Sequence, residues 1–129
     1  MSLEEIKNTF EILDDSEEKL SFVIDLGKQL SPYPEDKKDD EHKIYGCSSN
    51  VWFNPKSEDG KYYFNFESDA LIVKGLLFII KQIFDGKTLA QIKQINAIDF
   101  FDKVGLKPLL SNQRQSGLLS IIEKIECMK

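Results

Sequence analysis

The sequence predicts an α+β fold in which a small antiparallel sheet of about three strands packs against several helices. Apolar residues recur at helical spacing up to Leu30 and again beyond Ser68, which marks helices at both ends. Between them Tyr62, Phe64 and Phe66 alternate with Tyr63, Asn65 and Glu67, the pattern of a strand with one buried face. Size is the third observation: 129 residues, 41% of them hydrophobic and nine of them Phe, suit a single domain over residues 1–129 with its own core.

Ser2 with Glu5, and Asp15 with Glu18, have capping-box spacing, in which the first side chain accepts from a free helix amide and the second returns the bond. The first predicted helix presents Leu3, Ile6, Phe10 and Leu13 on one face. The second presents Leu20, Val23, Leu26 and Leu30 before Pro32 and Pro34 stop it. Residues 33–43 are polar, carry both signs of charge and show no apolar period, so they read as an exposed connection. Val51, Trp52 and Phe53 favour a strand, Pro55 to Gly60 supply turn residues, and the alternating aromatic stretch completes a hairpin. Leu71, Leu76, Ile79, Ile80 and Ile83 mark the next helix, with Gly86 as its stop. Thr88 with Gln91 opens a short helix, Ile98 to Val104 adds a further turn or two, and a last helix runs from about Ser111 to Cys127.

The formal charge of -5 leaves no general basic field, so attraction to a nucleic acid backbone is not expected. The longest apolar run, Leu76 to Ile80, is too short to span a bilayer. The acidic Met1–Glu5 stretch lacks a basic region followed by an apolar one, and the expected location is the cytoplasm. Cys47 and Cys127 lie far apart in a chain of this character, which points to reduced thiols rather than a disulfide scaffold.

Gly86-Lys87-Thr88 copies the end of a phosphate-binding loop, but the earlier glycine that such a loop needs is replaced by Lys81. His42 is the only histidine and reads as a solvated loop residue. Asp36, Asp39, Asp40 and Glu41 near it read as a solvated face, since structural zinc draws four ligands mostly from Cys and His. Two distant cysteines also fall short of an iron–sulfur scaffold. The segment from Ile44 to Phe53 differs in kind: a small Gly46, the thiol of Cys47, hydroxyls at Ser48 and Ser49, then Trp52 entering a strand. On local composition alone it fits a thiol presented on a loop and a buried, inert cysteine equally well.

Gly46-Cys47-Ser48-Ser49-Asn50-Val51-Trp52 resembles the G-C-x-S-x-V-W motif of the SufE family of cysteine desulfuration proteins. Residues Ser68-Asp69-Ala70-Leu71-Ile72-Val73-Lys74-Gly75-Leu76 resemble that family's S-D-A-x-I-V-K-G-L segment. Leu110 to Leu118 resembles its L-[ST]-x-x-R-x-x-G-L segment. The three stand in the same order at similar spacing, and the likeness runs from the first helices to about Ile125. Tyr45 and Ser48 depart from the proline and glutamine that the family often has there.

The resemblance implies a SufE/NifU-like fold and a sulfur carrier whose catalytic residue is Cys47. A cysteine desulfurase is the implied partner; it carries the pyridoxal phosphate, and no cofactor or metal is expected on this chain. The Cys47 thiolate would take the terminal sulfur of the desulfurase persulfide, as in thiol–disulfide exchange, and pass it to an iron–sulfur cluster scaffold complex. That makes an accessory persulfide carrier, stimulating the desulfurase without independent turnover, monomeric or weakly dimeric. Gly46, Ser48, Ser49, Trp52, Asp69, Lys74 and Arg114 are the residues expected to shape the loop or face the partner. Arg114 is the candidate for a cation near the thiol, whereas Asp69 reads more simply as a cap of the helix after it. Cys47 is expected to be sheltered in the free protein, and Cys127, in none of the motifs, reads as incidental. An iron–sulfur scaffold-like binding module and a stand-alone thiol or redox protein are the alternatives.

Overall fold

The computed structural model describes residues 1–46 and 49–128; Cys47, Ser48 and Lys129 lie outside the described residues. Among the described residues six α-helices accompany a three-stranded antiparallel sheet of order β1-β2-β3. Helix α1 (Leu3–Ile12) starts at a capping box: Ser2 Oγ accepts from Glu5 N at 3.2 Å and Glu5 Oε1 accepts from Ser2 N at 3.2 Å. Helix α2 (Ser16–Gly27) starts at Asp15, but that carboxylate accepts from Glu17 N and no bond returns from Glu18. An aspartate bonding two residues on makes a tighter cap than the box expected from spacing. α2 also ends earlier than the apolar pattern suggests, because the chain tightens into turns from Asp25, and Leu30 lies beyond its last residue.

Strands β1 (Val51–Glu58) and β2 (Lys61–Ser68) pair along their whole length, from Val51 opposite Ser68 to Glu58 opposite Lys61. The turn is Asp59-Gly60 alone, with φ of 54° and 79°, the conformation of the two-residue hairpin turn that follows strand twist. Pro55, expected in the turn, therefore sits inside β1. Val51 O accepts from Ile44 N and Phe53 N donates to His42 O, so odd-numbered backbone groups of β1 point away from β2. Pro55 occupies such an outward position on an edge strand, where a missing N–H costs no ladder bond.

Helix α3 (Leu71–Phe84) is apolar nearly all round, with Val73, Leu76, Leu77, Phe78, Ile79, Ile80, Ile83 and Phe84 buried. This follows from its central position: α2 packs along one side and β2 along another. Phe53, Phe64 and Phe66 line the sheet's inner face with ring centroids 5.8–6.1 Å apart, and Phe84 meets Phe64 edge-on. Beyond the two-residue β3 (Lys87–Thr88), the far edge of β2 is closed by α3 itself. Phe64 N donates to Asp85 Oδ1, Lys81 Nζ donates to Phe64 O, and Lys81 and Asp85 are paired at 2.8 Å.

The second half follows the expected order. Thr88 and Gln91 form the capping box of α4 (Leu89–Gln94), and α5 (Ala97–Lys103) begins at Asn96. Helix α6 (Asn112–Glu126) begins at Ser111, whose hydroxyl accepts from Arg114 N, and buries Gly117, Leu118, Ile121, Ile122 and Ile125. Gln115 Nε2 donates to the carbonyls of Lys107 and Leu110, which anchors α6 to the short helical turn before it. Among the described residues no helix is long and apolar enough to cross a membrane.

Candidate functional site

The connection between the outer segment 42–44 and β1 is where the three sequence motifs converge. An antiparallel bridge between Lys43 and Trp52 holds its two ends together, with Ile44 N donating to Val51 O at 2.8 Å. The described residues Tyr45 and Gly46 on one side and Ser49 and Asn50 on the other are therefore the two ends of a short connection. Its candidate nucleophile Cys47, and Ser48 beside it, lie outside the described residues.

Gly46 begins the loop with φ of +97°, a conformation that side chains rarely adopt. A Cβ there would also stand 2.6 Å from Ser120 Oγ and 3.3 Å from Ser120 Cβ, so a larger residue would have to turn the Ser120 hydroxyl aside as well as adopt the strained φ. At the far end, Asn50 N donates to Asp69 Oδ1 at 3.1 Å and Asn50 Nδ2 donates to Asp69 Oδ2 at 2.9 Å. Asp69 is thus not the cap of α3. That position belongs to Ala70, which makes no side-chain cap bond, and Ser68 Oγ accepts from Ala70 N instead. The carboxylate is used across the fold, on the loop. Replacing Asp69 by alanine is expected to raise hydrogen exchange at the Asn50 amide about tenfold while global stability falls by no more than about 1 kcal/mol, since both lost bonds are exposed.

Between the loop and the two helices lies a cavity of about 20 Å³, room for one water-sized occupant. Ser49 lines it from the loop, Val73 and Leu76 from α3, and Gln113, Arg114, Gly117, Leu118 and Ile121 from α6. Its walls are mostly apolar, yet Arg114 Nε is buried and has no hydrogen-bond partner among the described residues. A guanidinium donor left unpaired in apolar surroundings costs of the order of 1–3 kcal/mol, so the site favours an acceptor or anion.

Of the residues named from sequence, the structure brings Ser49 and Arg114 to this cavity, Gly46 against α6, and Asp69 onto the loop's far end. Trp52 and Lys74 belong to a separate polar cluster. Glu67 accepts from Lys74 at 3.4 Å and Lys38 at 3.5 Å, and Lys38 lies 6.0 Å from the Trp52 ring centre. A hydrogen bond from Lys38 to Glu35 holds that ammonium charged and raises its pKa, with Glu67 adding to the effect. His42 is half-buried and shares a 2.6 Å hydrogen bond with Asp39, which holds that carboxylate below its usual range.

Gln113, Gly117, Ser120 and Asn50 were not singled out in the sequence. Gln113, Gly117 and Ser120 follow from periodicity: positions 113/114, 117, 120 and 121 recur at helical spacing and share one face of α6. The Asn50–Asp69 pair has no local signal. Cys127 caps the end of α6 as an exposed free thiol in an open groove with Lys43, Ile44, Tyr45 and Ser120. Among the described residues no group of three or more His, Cys, Asp or Glu is placed to hold a metal ion.

Comparison with known proteins matches residues 4–128 to the SufE model, described as an Fe-S metabolism associated domain. The chain is 43% identical over 129 residues to an uncharacterized SufE-like protein of Rhizobium meliloti, covering 97% of this chain and 92% of that protein. It is 36% identical over 126 residues to the sulfur acceptor protein CsdE of Escherichia coli, covering 97% and 86% respectively. The solution structure of a hypothetical protein from Thermus thermophilus superposes with a TM-score of 0.76 at 17% identity, over 98% of this chain and 93% of that one, which establishes the shared fold. With a family match across nearly its whole length, this chain belongs to the SufE family.

Proposed function

We propose that this protein accepts a single sulfur atom on Cys47 from the persulfide of a pyridoxal-phosphate cysteine desulfurase and hands it to iron–sulfur cluster assembly in the cytoplasm. The observation that carries the reading is the buried, unpaired Arg114 Nε in a one-atom cavity bordered by the Cys47 loop's own Ser49. The family description and the name of the CsdE relative support it.

The step balances without an added oxidant. The Cys47 thiolate attacks the outer sulfur of the desulfurase persulfide, the sulfur–sulfur bond breaks, and the desulfurase cysteine leaves as a thiolate. A cysteine of ordinary pKa, about 8.5, is only a few per cent thiolate at neutral pH, so a nearby cation assists. We assign that role to Arg114, which shares a cavity with Ser49, two residues beyond Cys47; its mostly apolar walls leave room for one water-sized occupant and so limit access by competing reductants.

The test loads the protein with desulfurase and cysteine and weighs its peptides. The expected result is the mass of one sulfur atom on the Cys47 peptide and faster cysteine turnover by the desulfurase. Sulfur on Cys127 alone, or an iron–sulfur absorption band requiring Cys47, overturns it. Arg114→Gln carries a second expectation. Positive charge favours the thiolate and so lowers the thiol's pKa; without it the pH midpoint of Cys47 alkylation moves upward, by about one unit. Arg114→Lys restores part of the shift, which a merely structural arginine would not require.

A further inference from the structure

The chain's acidity is concentrated at one end. Up to Gly27 eight carboxylates face two lysines, whereas the remainder is balanced to within one charge. An open groove of about 440 Å³ runs between α1 and α2 on this part of the surface. Leu13 and Phe22 give it apolar walls, and Asp15, Glu17, Glu18 and Asp25 border it. Ile12, next to Leu13, is 78% exposed, the most exposed of the large hydrophobic side chains.

Within the described residues little opposes the charge of this face. Neither α1 nor α2 has a basic residue in its last turn, so the negative end of α1's dipole adds to the field of the acids beside it. Of the groove's carboxylates only Asp25 has an ion-pair partner among the described residues, the exposed Lys28 at 3.5 Å. Lys19 lies in a different groove with Lys103 and Gly105. No backbone hydrogen bond among the described residues closes on the carbonyls of Phe10, Glu11 or Ile12.

We infer that the α1–α2 groove is a docking site for a basic amphipathic segment of a partner protein. Leucine-like side chains of that segment cover Ile12, Leu13 and Phe22, and its lysines or arginines meet the acidic rim and the free carbonyls of α1. Charge complementarity selects this occupant. A symmetric pairing of two copies through the same face would set carboxylates against carboxylates. The groove shares no lining residue with the cavity beside the Cys47 loop, so a docked partner leaves that loop free. The inference stands apart from the sulfur-transfer reading.

The experiment titrates the full-length ¹⁵N-labelled protein with a synthetic helix carrying leucines at i, i+3, i+4 and i+7 and lysines or arginines elsewhere. Chemical-shift changes confined to residues 9–25 are expected. Affinity should fall about tenfold or more in Ile12→Asp and in the Glu17→Gln/Glu18→Gln double variant. A control double variant at Glu123 and Glu126, with the same change in charge, should bind as the parent does. Thermal midpoints verify folding, and sulfur loading of the groove variants should match the parent. Shifts spread over the surface, equal loss in the control, or complete displacement by spermidine would each overturn the proposal, leaving only diffuse attraction or a polyamine site.

Discussion

Replacing Cys47 by serine is expected to abolish sulfur acceptance, a loss of at least about a hundredfold, because a hydroxyl is scarcely ionised at neutral pH and does not attack sulfane sulfur. Cys127→Ser is expected to leave acceptance intact. The contrast matters because Cys127 is exposed and shares a groove with Tyr45, one residue before the loop's Gly46, so accessibility alone would favour it as the acceptor. What separates the two is the residues that flank them in the chain. Cys47 is flanked on one side by Gly46, whose φ of +97° favours glycine, and on the other by Ser49, which lines a cavity holding the buried Arg114 Nε, and Asn50, which is clamped by Asp69. Cys127 ends a helix at the surface. Peptide mass spectrometry after incubation with desulfurase and cysteine reads both variants, and their circular dichroism should match the parent. Equal loading of Cys47→Ser and parent would end the assignment.

Features decided within a few residues were the ones the sequence revealed. Ser2 with Glu5 and Thr88 with Gln91 form the boxes that spacing implies, since a cap involves only its own first turn; Asp15 also caps α2, but on Glu17 N and without the box expected with Glu18. Pro55 was misread because turn chemistry and strand position compete at one residue. Pairing direction decided it, and pairing is a long-range fact. Asp69 failed for the same reason: as read locally it caps a helix, but its partner Asn50 is nineteen residues away and on another element. The site divides similarly. Gly46 and Cys47 stand together in sequence, whereas the meeting of Ser49 with Arg114 depends on α6 packing beside α3, which local pattern does not encode.

Gly75 gives the largest expected stability effect, and it too was legible only as part of a motif. Substitution by alanine improves helix propensity by about 1 kcal/mol, so an isolated-helix argument predicts stabilisation. The fold reverses the sign. A Cβ at Gly75 would overlap the Val23 carbonyl oxygen, and the facing Gly27 leaves only 2.8 Å between its own Cβ position and Gly75 N. These two glycines let α2 and α3 approach until backbone meets backbone, with Val23 and Leu26 buried at the contact. Because the obstacle is main chain, no rotamer change relieves it, and the helices must separate along a face that anchors the core. Gly75→Ala is expected to destabilise by about 2–4 kcal/mol net, at or above the usual range for overpacking. At roughly 4 °C per kcal/mol for a domain of this size, the thermal midpoint falls by about 8–16 °C. Urea unfolding would read the same loss as a lower midpoint with an unchanged slope. Adding Val23→Ala should not rescue it: that change removes Val23 Cγ1, which would stand 2.5 Å from the new Cβ, but leaves the nearer carbonyl oxygen in place. Rescue by that second substitution, or a midpoint equal to the parent's, would show that the helices have slack the close contact denies. A weakened α2–α3 contact also loosens the start of α3, which carries Val73 and Leu76 into the cavity wall. Even where the variant stays folded in the cold, sulfur loading on Cys47 should fall as temperature rises toward the lowered midpoint.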